Sequence, residues 1–244
     1  MGNAVEFSDT LLSEFILGFY GYGNYSGRYW FVGMEEGGGS TLPEIELRVR
    51  LWAQRGQREL EDVADYHRAL GMNQFFVQPT QAQPTWNKLI RVVLAMQQPS
   101  PTLDMVKTYQ REMFGSPGGD TCLLELLPLP SPSIGKWIYS DFATVEGLQS
   151  RETYRNRYAE LRARHLKQKI LEHRPLAVVF YGVDSWYQQW WRMIANTDFE
   201  TSEIDGAVCY SAFVQSTKFF VIKHPASRGI TNDYYHQIGR LLTS

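Results

Sequence analysis

Apolar positions along the chain recur at two spacings, and the switches between them mark the elements. Helical spacing predicts helices over 7–18, 43–54, 59–70, 84–97 and 103–114, with Ser8 or Asp9 as the first cap and Pro84 in a first-turn position. Unbroken apolar runs predict strands over 28–33, 121–126 and 176–181. Two further strands, 208–214 and 218–223, pair through a turn at 215–217, and a closing helix follows Gly229. Helices are also expected over 151–174, rich in arginine, and 184–196, which carries Trp186, Trp190 and Trp191. Proline has no N–H to donate, so the Pro128–Pro132 region is expected not to continue a central strand.

Strands that alternate with helices and are apolar on both faces predict an α/β fold, a three-layer α/β/α arrangement around a mainly parallel sheet. No repeat or linker divides the chain, so residues 1–244 are read as one domain. Hydrophobic residues at 43% and charged residues at 20% fit an ordinary globular protein. No run approaches a membrane span and the N-terminus carries acidic residues, so a cytoplasmic monomer is expected. Cys122 and Cys209 are too few for a disulfide framework or an all-cysteine metal site, and neither metal nor cofactor is expected.

Three strand ends carry chemistry: Gly33-Met-Glu35-Glu36-Gly37-Gly38-Gly39, Leu124-Glu125, and His224-Pro-Ala-Ser227-Arg228. In a parallel sheet, these ends converge on the edge where such folds place their sites. A net charge of −2 argues against a broadly basic surface, yet the segment from Arg151 to Lys169 is locally basic. Arg155, Arg162 and Lys169 share a helical face there, read either as a DNA contact or as a solvated face.

The first and third segments resemble the signature motifs of the uracil-DNA glycosylase superfamily, a strand ending in a Gly-x-(Asp/Asn/Ala)-Pro-(Gly/Tyr) type loop and a later strand ending in His-Pro-Ser or Asn-Pro-Ser; Val32-Gly33-Met34-Glu35-Glu36-Gly37 stands at the first and His224-Pro225-Ala226-Ser227-Arg228 at the second. Phe180-Tyr181-Gly182 and Pro84-Thr85-Trp86 add to the likeness, which spans about Tyr29 to Leu242. The resemblance implies an enzyme that flips a base out of DNA and hydrolyses its N-glycosidic bond. It implies that Glu35 orients water, with Glu36 standing in place of the family's proline and leaving open which of the two acts. It implies that His224 donates to the departing base, that Arg228 is a wedge, and that Ser227, Gly37 and Gly38 lie against DNA. Arg155 and Arg162 are expected to contact DNA, and Phe75 or Phe76 to stack on the base.

Glu125 departs from the family, which places an asparagine there to read uracil. A carboxylate accepts well from the exocyclic amine of cytosine and, if burial keeps it protonated, also donates to the ring nitrogen. The expected target is a modified cytosine, such as glucosylated hydroxymethylcytosine in phage DNA. The alternatives are a uracil-excising repair enzyme or an inactive DNA-binding relative. Blander readings of the same residues make Glu125 an acid paired to an arginine, His224 a core histidine, and Glu35-Glu36 a cap for the helix after Pro43.

Overall fold

The apolar run at 29–32 needs cover on both faces, and successive side chains find it on opposite sides. In β2 (Tyr29–Gly37), Trp30 packs near His173 at the end of α6 (Arg151–His173), whereas Phe31 packs near Phe114, just beyond α5 (Leu103–Glu112). The computed structural model describes residues 8–133 and 135–243. Among them β2 sits inside an eight-stranded sheet of order β3-β1-β4-β2-β5-β8-β7-β6, with helices on both faces. This is the three-layer α/β/α arrangement that the pattern predicts.

The centre of the sheet is parallel throughout: β4 (Thr121–Ser131), β2, β5 (Ala177–Tyr181) and β8 (Thr217–Ile222). Antiparallel pairings flank it. On one side β1 (Gly21–Gly23) runs against β4 and is followed by the two-residue β3 (Leu60–Glu61). On the other, β7 (Ala207–Val214) and β6 (Glu200–Ile204) complete the edge.

The remaining helices are α1 (Asp9–Gly18), α2 (Leu42–Gln54), α3 (Val63–Ala69), α4 (Pro84–Ala95), α7 (Ser185–Ala195) and α8 (Asn232–Thr243). Ser8 caps α1 through its side chain; Phe7, the expected start, lies outside the described residues. No described helix is long and apolar enough to cross a membrane. Cys122 and Cys209 are both buried and free.

Several expectations are corrected. The helix expected over 59–70 begins as β3 and turns helical only after the Asp62 cap. Strand β2 does not stop at Gly33 but carries Glu35 and Glu36 within it. Strand β4 runs through its prolines to Ser131, because they fall where the ladder is broken. From Glu35 to Gly37 on β2 the pairing advances from Leu127 to Ser131 on β4, so β4 spends extra residues between two rungs. At such an irregularity a missing N–H costs no ladder bond, and the bend re-aims neighbouring side chains.

The basic helix face is also turned inward. Ser150 and Thr153 form a capping box that starts α6. From there Arg162 reaches the interior, fully buried, and donates to the backbone carbonyls of Leu126, Ile16, Phe19 and Glu125 at 2.6–3.1 Å. Its guanidinium also lies 3.9 Å from the Tyr20 ring centre. Arg162 therefore ties α1 and α6 to β4 and does not reach DNA. Arg162→Leu is expected to lose about 2–4 kcal/mol of stability in urea denaturation, since carbonyls are left without their donor. A loss below about 0.5 kcal/mol, the range of ordinary surface substitutions, would contradict that role.

Candidate functional site

The carboxyl ends of β2, β4, β5 and β8 open into one cavity of about 1040 Å³. Binding pockets for small molecules commonly measure about 300–1,000 Å³, so this one is at the large end. Its wall includes Glu35, Glu36, Glu125 and His224, so the chemistry-bearing strand ends do meet.

Glu125 is held at the floor by a contact that passes over a neighbouring strand. Tyr181, at the end of β5, donates its hydroxyl to Glu125 Oε1 at 2.6 Å. The strand between them is β2, and its Gly33 pairs with Glu125. A Cβ at Gly33 would lie 2.1 Å from Glu125 Oε2 and 2.3 Å from the Tyr181 hydroxyl. This glycine supplies space, and without it the two groups could not meet. Glu125 Oε2 is buried and has no hydrogen-bond partner among the described residues. Burial drives the carboxyl well above the usual carboxylate range, and the nearby charge of Glu36 pushes it further in the same direction. Among the described residues no arginine side chain forms an ion pair with it; Tyr181 is its hydrogen-bond partner.

Glu35 and Glu36 line the same cavity but diverge. Glu36 turns toward β1 and α2, where Oε1 accepts from Tyr22 at 3.1 Å and from Arg48 at 3.3 Å. Its Oε2 takes no hydrogen bond among the described residues. Burial raises the Glu36 pKa, and the Arg48 guanidinium works against the rise. Glu35 turns toward α6 and α7, where Oε2 meets Arg151 and Oε1 accepts from Arg155 and the Tyr187 hydroxyl, each at 2.8 Å. Both oxygens of Glu35 are thus engaged, whereas Glu36 keeps one open. Neither acts as a cap for α2, whose N-terminus is closed by Thr41.

His224 follows β8 and is set by a tight turn in which Ser227 N donates to the His224 carbonyl at 2.8 Å. Ala226 N donates to His224 Nδ1 at 3.1 Å, so the ring proton sits on Nε2. Burial lowers the His224 pKa, which keeps the ring neutral near pH 7 and Nε2–H a donor. The ring centre lies 5.6 Å from that of Tyr181, next to the acid on the floor.

The other expected residues divide. Phe75, Gly37, Gly38, Ser227 and Arg155 line the cavity. A Cβ at Gly37 would meet nothing within 4 Å, so the wall is open there. Phe76 does not line it: after the turn at Asn73–Phe75 its ring is buried among His67, Trp86 and Arg68. The amides of Gly39 and Ser40 are occupied by the Glu44 carboxylate, which removes them as phosphate donors. Arg228 is exposed on the loop beyond Ser227, outside the lining.

The sequence reading missed Tyr181, Tyr22, Arg48, Arg151 and His67 as parts of the wall. Arg151 and Arg155 had a signal, a four-residue spacing just after a helix cap that puts both on one side of the first turns. His67 donates from Nδ1 to the Val63 carbonyl at 2.8 Å, and burial takes its pKa down to about 3, so its other nitrogen is a neutral acceptor.

No family model and no curated protein matches this sequence. Among the described residues no group of His, Cys, Asp and Glu could hold a metal ion.

Gly33→Ala is expected to destabilise the protein by about 1–3 kcal/mol through overpacking against Glu125 and Tyr181. In a Glu125→Ala, Tyr181→Phe background the same change should cost far less, because both clashing oxygens are gone. Thermal unfolding of the four proteins of this cycle measures the coupling. Equal costs in both backgrounds would show that the clash lies elsewhere.

Proposed function

We propose that the protein is a DNA glycosylase that takes a flipped base into this cavity and hydrolyses its N-glycosidic bond, with a modified cytosine as the favoured target. The observation that carries the reading is Glu125, held by Tyr181 through Oε1 and with a buried Oε2 that has no partner among the described residues, in a cavity that also holds a neutral donor histidine and a carboxylate with a free oxygen. A flipped pyrimidine needs such a set: an edge reader, a donor for the charge leaving with the base, and a group that orients water.

Glu36 is the water-orienting group in this reading, since Glu35 spends both oxygens on Arg151, Arg155 and Tyr187. As the sugar–base bond lengthens, positive charge grows on the sugar and the bond electrons leave with the base. Water adds to the sugar carbon, and its proton passes to Glu36. His224 Nε2–H donates to the base oxygen on which negative charge accumulates. The products are an abasic site and the free base. Phe75 and Trp86 offer faces for stacking, and in this reading the exposed Arg228, on the loop beyond Ser227, is the side chain that enters the gap in the duplex.

Protonated Glu125 accepts from an exocyclic amine and donates to a ring nitrogen, which is the edge of cytosine. The open wall at Gly37 and the size of the cavity leave room for a substituent on that base. Damage to unmodified cytosine would be harmful to any cell, which favours a modified target and a role against foreign DNA over housekeeping uracil removal.

Incubation with labelled duplexes carrying uracil, cytosine, hydroxymethylcytosine or its glucosylated form, followed by alkali, tests this. Breaks are expected at a modified cytosine. Breaks at uracil alone would overturn the target, and retardation without breaks would leave only a DNA binder. Glu36→Gln should lower the rate by about 10²–10⁴-fold. His224→Ala should lower it about a hundredfold or more. Unchanged rates in either variant would remove that residue from the mechanism.

A further inference from the structure

Two histidines of the cavity wall, His67 and His224, hold their ring protons on opposite nitrogens. His224 accepts from an amide at Nδ1 and is a donor at Nε2. His67, on α3, has Nδ1 2.8 Å from the Val63 carbonyl oxygen. A carbonyl only accepts, so the His67 proton is on Nδ1 and its Nε2 carries a lone pair. Burial, with the Arg48 charge adding to it, keeps the ring from taking a second proton. His67 lines the cavity, and its Nε2, unlike Glu125 Oε2, is not sealed off from it.

The wall around that nitrogen is apolar. The His67 ring lies 5.1 Å from that of Tyr22 and 5.0 Å from that of Trp86, which meets it edge to face. Phe75 follows at 5.8 Å from Trp86, and Leu123 pairs with Tyr22 in the sheet. All of these line the cavity, and the Tyr22 hydroxyl is engaged with Glu36. Along the sheet, Glu125 stands between the two histidines. On one side of β4 lie β2, β5 and β8, the last leading into His224; on the other lie β1 and β3, with α3 following. A cytosine with its carbonyl on His224 and its amine on Glu125 therefore turns C5, the ring atom next to the amine-bearing carbon, toward Tyr22 and His67.

We propose that His67 is a specificity-determining residue: its Nε2 accepts a hydrogen bond from a hydroxyl on the substituent at C5 of the base. The inference rests on the base-excision reading for the orientation of the base. A hydroxyl that displaces water from Nε2 replaces the lost hydrogen bond, whereas a methyl group leaves the nitrogen unpaired among apolar side chains. A site that hydrogen-bonds a hydroxyl rejects analogues lacking it; a purely apolar pocket separates the two poorly.

Duplexes carrying hydroxymethylcytosine and methylcytosine differ by that hydroxyl alone. The parent protein should favour hydroxymethylcytosine in kcat/KM by about tenfold or more. His67→Phe keeps a ring in place, and the Val63 carbonyl retains the backbone amide of residue 67 as its helical partner. This variant should use both bases equally. His67→Gln sets an amide oxygen at the reach of Nε2 and should regain a preference for hydroxymethylcytosine. A parent that does not separate the two bases, or a ratio unchanged in His67→Phe, would overturn the proposal. Equal loss in both variants would assign His67 to packing and overturn it as well.

Nitrogen NMR with the free bases 5-hydroxymethylcytosine and 5-methylcytosine reads the same contact without any cleavage. The His67 Nε2 signal of the free protein should be that of an unprotonated nitrogen at neutral pH. It should move toward the protonated position with the hydroxymethyl base and not with the methyl base. A protonated Nε2, or a signal that the hydroxymethyl base moves no more than the methyl base, would overturn the inference whatever the protein does to DNA. The expected shifts with no base released from any duplex would overturn the excision reading alone.

Discussion

Two carboxyl groups, Glu36 and Glu125, face one cavity, both largely removed from water, and only Glu36 has a guanidinium beside it. Burial disfavours the charge on both, and at Glu125 the nearby Glu36 adds to that effect while the buried Arg162 guanidinium opposes it. Burial raises the pKa of Glu36 and the Arg48 guanidinium works against that rise, whereas burial and then the Glu36 charge both push Glu125 up. Two identical functional groups thereby stand in different environments, and the proposed function uses that difference: Glu36 as the acceptor for water, Glu125 as the reader of a base edge. Where environments push paired groups apart in this way, acid and base assignments follow from them.

The backbone makes this separation possible at two places. At Gly33 the absent side chain lets Tyr181 reach across β2 to Glu125. Just beyond it, the irregular pairing between Glu35–Gly37 and Leu127–Ser131 bends the strand end, and the two glutamates part company. Glu35 goes to the arginines of α6, where it neutralises part of their charge and holds them at the cavity wall. The prolines of β4 are tolerated because they fall in the same irregular stretch. Structural exception and candidate chemistry coincide, as they do at many functional sites.

The central parallel strands were legible because an unbroken apolar run of strand length must be covered on both faces, and a parallel sheet between helix layers provides that cover. With them came the convergence of Glu35, Glu36, Glu125 and His224. The edge strands β1 and β3 were not legible, since three and two residues carry no period. Helical spacing placed Arg155 and Arg162 on one face but could not say which way that face points; Arg162 proved to be a buried tie between α1, α6 and β4. Phe75 and Phe76 were indistinguishable as neighbours, and only the turn at Asn73–Phe75 sends one to the cavity and the other to the core. Tyr181 stood visible at a strand end, yet its role depends on a contact across an intervening strand, which no local pattern encodes.

The central claim is that the cavity receives a flipped base with Glu125 at its edge. A structure of the Glu36→Gln protein bound to a duplex carrying one hydrolysis-resistant, fluorinated-sugar analogue of hydroxymethylcytidine addresses it most directly. The expected result is the base out of the helix and inside the cavity, its amine on the Glu125 carboxyl and its carbonyl oxygen on His224 Nε2. A base left stacked in the duplex, or DNA bound on another face of the protein, would contradict it.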